Sequence, residues 1–443
     1  AASGDLDKAP PLAPMDPRNR DTLSFAQYRL WFVDQLNQGS SEYNLPSALR
    51  VQGNLDLSVL DRVFAEIVAR HEVLRTNFAG EDGTPRLILR EQVQWATPVV
   101  DLTHLQGEAL QAEITFQVDQ DAARVYSLEK DILFSTKILK LGVDDHVLLL
   151  NMHHIVSDGW SLGVLVSEIK ACYSAFVQGQ SSPLPALAIQ YSDFAVWQRN
   201  WLQGDALEKL KDYWKMALAG APDVLRLPTD KPRPKYQTFN GAHYPVELGS
   251  ELSAQLNRFC DRNDLTPFMV LMGAYQILLS RYANQSDICV GIPIAGRNRA
   301  ELEGLIGFFI NGLVIRTRLG GNPSVLEYLK QVKEVSLGAY AHQDMPADLL
   351  LDALKMDRNA DTSPGAQGGF ALQNVSQEAF SSGDEGGFSA LTIDAVPREH
   401  KTAKYELSLI LQESENGFAG VAEYNTDLFV ESSVSRMMGH FNR

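Results

Sequence analysis

At 443 residues, 45% of them hydrophobic and 21% charged, the chain has an ordinary globular composition and exceeds the size at which one core keeps growing, so two lobes are expected. Its net charge of −16, with no basic stripe, weighs against nucleic acid as a partner. No run of about 18 apolar residues offers a membrane-spanning helix. Ala1-Ala2-Ser3-Gly4-Asp5 lacks the basic and apolar regions of a signal peptide, and Cys172, Cys260 and Cys289 are widely scattered, so reduced thiols in a cytoplasmic protein are expected.

Residues 1–21 are rich in Pro, Asp and Ala without periodicity and read as a linker or tail. A first lobe is expected over 22–182. Within it Leu57, Leu60, Phe64, Ile67 and Val68 mark an amphipathic helix with Asp56 as candidate N-cap. Leu87-Ile88-Leu89, Ile132-Leu133-Phe134 and Val147 to Leu150 read as strands, and Leu162, Leu165, Val166, Ile169, Tyr173 and Phe176 recur at helical spacing. The polar, proline-bearing stretch from Gln178 to Pro185 breaks the pattern, and a second lobe is expected over 183–443. That half opens with helices around 191–219 and a proline-rich crossing from Pro228 to Pro234. Leu252, Leu256 and Phe259 form one helical face, and 267–283 is a longer apolar helix. Strand-like runs follow at 288–292, 313–319, 391–396, 405–411 and 418–424. Residues 361–388 are rich in Gly, Ser and acidic side chains; glycine weakens strands, so mobility is expected there. Both halves mix helices and strands, an α/β chain of mixed α+β character without an evident internal repeat.

The stretch from Met152 to Ser161 concentrates the chemistry. His153 and His154 stand where the apolar strand gives way to a helix, followed by Asp158, Gly159, Trp160 and Ser161. Three readings compete. The histidines are structural residues at a strand end; or they ligate a metal, though adjacent strand residues point to opposite faces and no cysteine pair lies near; or His154 is a base or positioning group for acyl transfer. On the third reading Asp158 is structural and Gly159 permits a turn or close approach to substrate. A histidine suits such work because its unperturbed pKa lies near neutrality.

His153-His154-x-x-x-Asp158-Gly159 resembles the signature of the condensation domains of nonribosomal peptide synthetases. Ser24-Phe25-Ala26-Gln27-Tyr28-Arg29-Leu30-Trp31 resembles the family's first motif and Arg70-His71-Glu72-Val73-Leu74-Arg75-Thr76-Asn77-Phe78 its second. Tyr191 to Trp197 resembles the fourth, Ile306-Gly307-Phe308-Phe309-Ile310-Asn311 the fifth, and His342-Gln343-Asp344-Met345-Pro346 the sixth. The seventh is only partly legible, in Asp357-Arg358-Asn359 and Ser363-Pro364. Ala347-Asp348 and Gly312 depart from the family's usual residues.

The resemblance implies two chloramphenicol-acetyltransferase-like lobes forming a V-shaped pseudodimer. It also implies amide formation between two carrier-bound thioesters, with no cofactor bound by the domain itself. The phosphopantetheine arms belong to donor and acceptor carrier proteins, or the donor is an acyl-CoA; adjacent synthetase domains are further partners. His154 matches the family's second histidine and carries the chemistry. Asp158 is implied to pair with an arginine, Arg75 in the first place and Arg70 in the second. His153 is structural, and Gly159 brings a backbone N–H near an oxyanion. Trp160, Ser161, Asn311 and Gly312 are candidate tunnel-lining residues. Trp160-Ser161-Leu162-Gly163 resembles domains that take L-configured donors or a starter acyl chain. L-type elongation is the preferred expectation and acyl initiation the alternative. A free-standing acyl-CoA acyltransferase and a silent docking module are the readings from other classes.

Overall fold

The computed structural model describes residues 9–16, 19–36, 39–81, 83–354, 365–373, 391–398, 401–414 and 416–443. In the first half run α1 (Phe25–Leu36), β1 (Asn44–Gln52), α2 (Leu57–Arg70), β2 (Thr76–Glu81), β3 (Thr84–Leu89) and β4 (Val99–Asp101). They are followed by α3 (Gly107–Ala122), β5 (Phe134–Lys140), β6 (Asp145–His153), α4 (Gly159–Val177), α5 (Tyr191–Trp201) and α6 (Gly204–Leu218). The second half begins with β7 (Gly241–Glu247), α7 (Ser250–Asn263), α8 (Pro267–Ala283), β8 (Asp287–Ile294), α9 (Ala300–Glu303) and β9 (Asn311–Arg318). Then come α10 (Val325–Ala341), α11 (Ala347–Leu354), β10 (Gly368–Gln373), β11 (Thr392–Ala395), β12 (Leu407–Ser414), β13 (Gly417–Asn425) and α12 (Glu431–Phe441).

Two large sheets organise these elements, in the orders β11-β1-β6-β5-β4 and β7-β13-β12-β10-β8-β9. Strand β6 shows why the first sheet is central. Its alternate side chains serve different cores: Leu148, Leu150 and Met152 join the one that includes α2 and α4, while Val147 and Leu149 join Ile114 and Val118 of α3. Hence its near-continuous apolar run. Asp56 caps α2 by accepting from the Ser58 and Val59 amides at 2.9 and 3.2 Å. Asp56→Ala is expected to cost about 1 kcal/mol in chemical denaturation; an unchanged midpoint would leave the cap without weight.

The packing does not divide where the chain does. Tyr191, Phe194 and Trp197 of α5, together with Leu302, Leu305, Ile306, Phe308 and Phe309, lie in the first core. Strand β11 crosses from the second half and pairs antiparallel with β1, Leu49 opposite Ala395 through Gln52 opposite Thr392. Residues 9–16 form no regular element, yet Leu12 is buried in the first core and the Met15 amide donates to Asp193.

Over its described part the glycine-rich segment includes a regular strand. Gly368–Gln373 is an interior strand, parallel to both β12 and β8. Gly369 stands opposite Gly291 of β8, and the Tyr405 ring occupies the space above both. A Cβ at Gly369 would come within 2.7 Å of that ring, and one at Gly291 within 2.5 Å of its hydroxyl. The glycines' weak strand propensity is offset by this seat and by Phe370, which is buried against Phe268 and Tyr275. Asp357-Arg358-Asn359 and Ser363-Pro364 lie outside the described residues.

Candidate active site

Strand β6 ends at His153, a single 3₁₀ turn spans His154–Val156, and Asp158 caps α4. Both histidines are held by backbone and ring. The His153 amide donates to Leu133 O and the His154 amide to Tyr43 O. His153 Nδ1 accepts from the Ile155 amide at 3.1 Å, and its ring packs beside Tyr43 and Tyr126, a structural placement. His154 Nδ1 lies 3.1 Å from Ser157 O. A carbonyl only accepts, so Nδ1 carries the proton and Nε2 the lone pair. Among the described residues Nε2 has no hydrogen-bond partner, and it is not one of the fully buried polar atoms. The ring meets Phe308 edge-on, centroids 5.2 Å apart. Burial pushes the His153 pKa down to about 4. Burial first, and the Lys404 ammonium second, push that of His154 down to about 3. Both are neutral at physiological pH.

Asp158 is fully buried and fully used. Oδ1 accepts from the Ser161 amide at 2.8 Å and from Arg297 Nη2 at 3.2 Å, while Oδ2 accepts from the Phe309 amide at 3.0 Å. Its arginine is therefore Arg297, and the expectation of Arg75 or Arg70 is corrected. Arg70 instead binds Glu168 of α4 at 2.8 Å, and Arg75 Nη1 donates to Arg90 O. The second motif braces α2 against α4, for His71 also reaches Glu168, at 2.9 Å. Arg297 follows β8, stacks on the Phe309 ring at 4.1 Å, and donates to Leu305 O and Ser161 Oγ at 2.8 Å each. The preceding Gly296, at φ +65°, abuts Phe309 O so closely that a Cβ would sit 2.0 Å from it. That Gly-Arg step after a strand was the available signal for Arg297.

Four motifs thus meet around one turn. Gln27 donates to Ile155 O at 3.1 Å; Ser24 Oγ and Tyr191 OH are 2.8 Å apart; and Tyr191 OH donates to Phe308 O at 2.6 Å. Tyr191, whose burial raises its pKa, stays a neutral donor.

The remaining candidates fall out differently. Ser161 is buried in the Asp158–Arg297 network, so the tunnel-lining expectation for it is corrected. Trp160 is partly exposed and donates to Glu303 O at 2.9 Å. Gly159 opens α4 without a positive φ, so no turn demands it there; a Cβ would meet no atom within 4 Å. Asn311 lines a cleft with Arg29, Phe308 and Phe309. Its amide donates to Gln343 O and Met345 O, and its oxygen accepts from the Ala347 amide, fastening the sixth motif. Gly312, opposite Pro293 in β9, likewise leaves its Cβ position open. Among the described residues no group of three His, Cys, Asp or Glu side chains is placed to hold a metal, and no helix is long and apolar enough to cross a membrane.

A family model described as "Condensation domain" matches residues 18–443, and the chain belongs to that family, the amide-forming domains of nonribosomal peptide synthetases. It is 44% identical over 436 residues to a component of the linear gramicidin synthase of Brevibacillus parabrevis, covering 98% of this chain and 8% of that relative. The chain thus spans a small part of the curated relatives it matches. Among solved structures, the X-domain from teicoplanin biosynthesis superposes with a TM-score of 0.87 at 23% identity, covering 98% of this chain and 96% of that one. The first condensation domain of the calcium-dependent antibiotic synthetase, in complex with a substrate analogue, gives 0.75 at 19%, covering 96% and 95%. The fold is the two-lobed, chloramphenicol-acetyltransferase-like pseudodimer.

Proposed function

We propose that this chain joins a donor thioester to the amine of a carrier-bound aminoacyl acceptor, with His154 at the reaction centre. The amine nitrogen bonds the thioester carbon, the C–S bond breaks, and the proton shed by the nitrogen ends on the departing thiol. The observation that carries the reading is the free Nε2 lone pair of a histidine whose other nitrogen is fixed on Ser157 O. Such a lone pair accepts an N–H from the neutral amine and aligns its attack. A group held near pKa 3 is a weak base, so positioning outweighs proton storage. Holding both thioesters end to end supplies much of the rate, roughly 7–11 kcal/mol. Donor and acceptor carrier domains bring the substrates on phosphopantetheine arms, and this domain contributes no cofactor.

Elongation with an L-configured donor is the preferred subtype; the Trp160-Ser161-Leu162-Gly163 stretch resembles L-donor and starter domains alike. The open space at Gly312 suits a bulkier donor, but one small residue discriminates by only about 1–3 kcal/mol. The decisive assay offers an aminoacyl carrier acceptor together with either an L-aminoacyl carrier or an octanoyl or longer acyl-CoA, and follows the acceptor arm by intact-protein mass spectrometry. Transfer is expected from the aminoacyl carrier. Efficient transfer from acyl-CoA with no upstream carrier present would make this a starter domain.

A silent recruitment module is the second reading, because an X-domain of the same fold has been solved in complex with OxyB. That likeness, at 24% identity, concerns the fold alone. The unoccupied lone pair of His154 favours chemistry.

A further inference from the structure

Residues 306–309 form no regular element, yet all four are buried, so their peptide groups need the partners that a helix or strand would have supplied. Side chains from distant parts of the chain supply them. The Ile306 amide donates to His71 Nδ1 at 3.4 Å and the Gly307 amide to Ser161 Oγ at 3.1 Å. Phe308 O accepts from Tyr191 OH, and the Phe309 amide donates to Asp158 Oδ2. Gly307 admits this approach, since a Cβ there would lie 2.0 Å from the Tyr191 ring. The backbone that carries Phe308 is therefore held at four consecutive residues.

Two rings leave this strip. That of Phe309 packs against Tyr191 and Phe194, its centroid 4.8 Å from each. That of Phe308 goes instead to His154, which it meets edge-on. Phe308 also lines the cleft that Phe25, Trp201, Asn311 and Asp344 border, whereas His154 is not among the lining residues. Phe308 is thus the point at which the cleft wall touches the histidine. It is only 4% exposed, so trimming its ring leaves space beside His154.

We propose that Phe308 is a specificity-determining residue: its ring, on a backbone held in place, sets the upper size of the aminoacyl side chain that can lie beside His154. The proposal rests on the reading of His154 as the reaction centre. A ring so fixed excludes by overlap, because a close-packed wall does not yield to an added group without cost.

The test uses the whole chain with short pantetheine-type thioesters. In the acceptor arm alanyl, leucyl, phenylalanyl and tryptophanyl thioesters are compared; a donor arm repeats the series with N-acylated residues. In one arm, which identifies the substrate concerned, wild-type kcat/KM is expected to fall by about tenfold or more from alanyl to tryptophanyl. Phe308→Ala should raise the tryptophanyl-to-alanyl ratio in that arm by about tenfold or more, Phe308→Leu by less, and Phe308→Trp should lower it. Where Phe308→Ala does not fold, Phe308→Leu decides. No size limit in either arm, or a ratio that every variant leaves unchanged, would overturn the proposal and leave the ring a packing residue. A preference for bulky residues that disappears in Phe308→Ala would overturn it too, making the ring an apolar contact in place of a limit. Affinities of non-hydrolysable alanyl and tryptophanyl pantetheine analogues for wild type and Phe308→Leu are measured in parallel. If no thioester yields an amide, the condensation reading falls, while this binding comparison still decides the size limit.

Discussion

Replacing His154 with Ala is expected to lower amide formation about 10²- to 10⁴-fold, with a far smaller change in the unfolding midpoint. The asymmetry follows from the bonds lost. On the protein side His154 gives up one ring contact to Ser157 O and its edge-on packing with Phe308, whereas the substrate loses the Nε2 lone pair proposed to hold its amine. His153→Ala should invert the pattern. It removes the acceptor for the Ile155 amide and leaves a gap between Tyr43 and Tyr126, so activity falls mainly through lost stability. Turnover measured by mass spectrometry, beside thermal melts of both variants, separates the two. Near-normal turnover by a well-folded His154→Ala protein would remove His154 from the reaction.

The pH dependence has a definite sign. Both histidines take up a proton less readily in the folded protein than at the ordinary value near 6.5. The stability they contribute is complete above about pH 6.5 and is lost as pH falls toward their folded values of about 4 and 3. The rate should show no inflection from His154 between pH 6 and 8, with Lys404, Arg29 and His153 all opposing its protonation. A rate titrating near 6.5 that vanishes in His154→Ala would contradict the neutral, positioning role.

Asp158→Asn should behave as a lesion of architecture. The pair it breaks has side chains 0% and 1% exposed, and Arg297 would be left charged and buried, a loss of roughly 3–5 kcal/mol. Arg297→Met should cost a similar amount from the other side. The double variant should recover part of the loss, since no unpaired charge remains, and urea titrations of the four proteins close the cycle. A fully stable but inactive Asp158→Asn protein would instead make the carboxylate a participant in the reaction.

The sequence made some of this plain and concealed the rest for physical reasons. Helix α8 was legible to the residue, because its apolar run is bounded by Thr266 and Pro267 at one end and Asn284 at the other. The histidine turn was legible because strand and helix periodicities meet there. The partner of Asp158 was not, since Arg297 lies 139 residues away and reaches it through a contact between the two halves. Local spacing carries no signal for such a pairing, and Arg75 stood closer in motif but points at Arg90 O. Strand β10 was hidden because glycine there answers to the Tyr405 ring, not to backbone preference. Residues 9–16 looked like a tail because their anchors, among them Asp193 and Trp197, lie far along the chain.

The crossing strand β11 bears on how synthetases can be rearranged by recombination. A splice in the stretch between α4 and α5 would respect every local rule, for that segment is polar and rich in proline. Yet a first half grafted onto a foreign second half would receive someone else's β11 against β1. Leu391 and Ile393 would have to suit a core they did not evolve with, and a mismatch would leave the Leu49–Gln52 backbone as an open sheet edge prone to aggregation. A junction between α4 and α5 is therefore expected to lower stability unless β11 travels with β1.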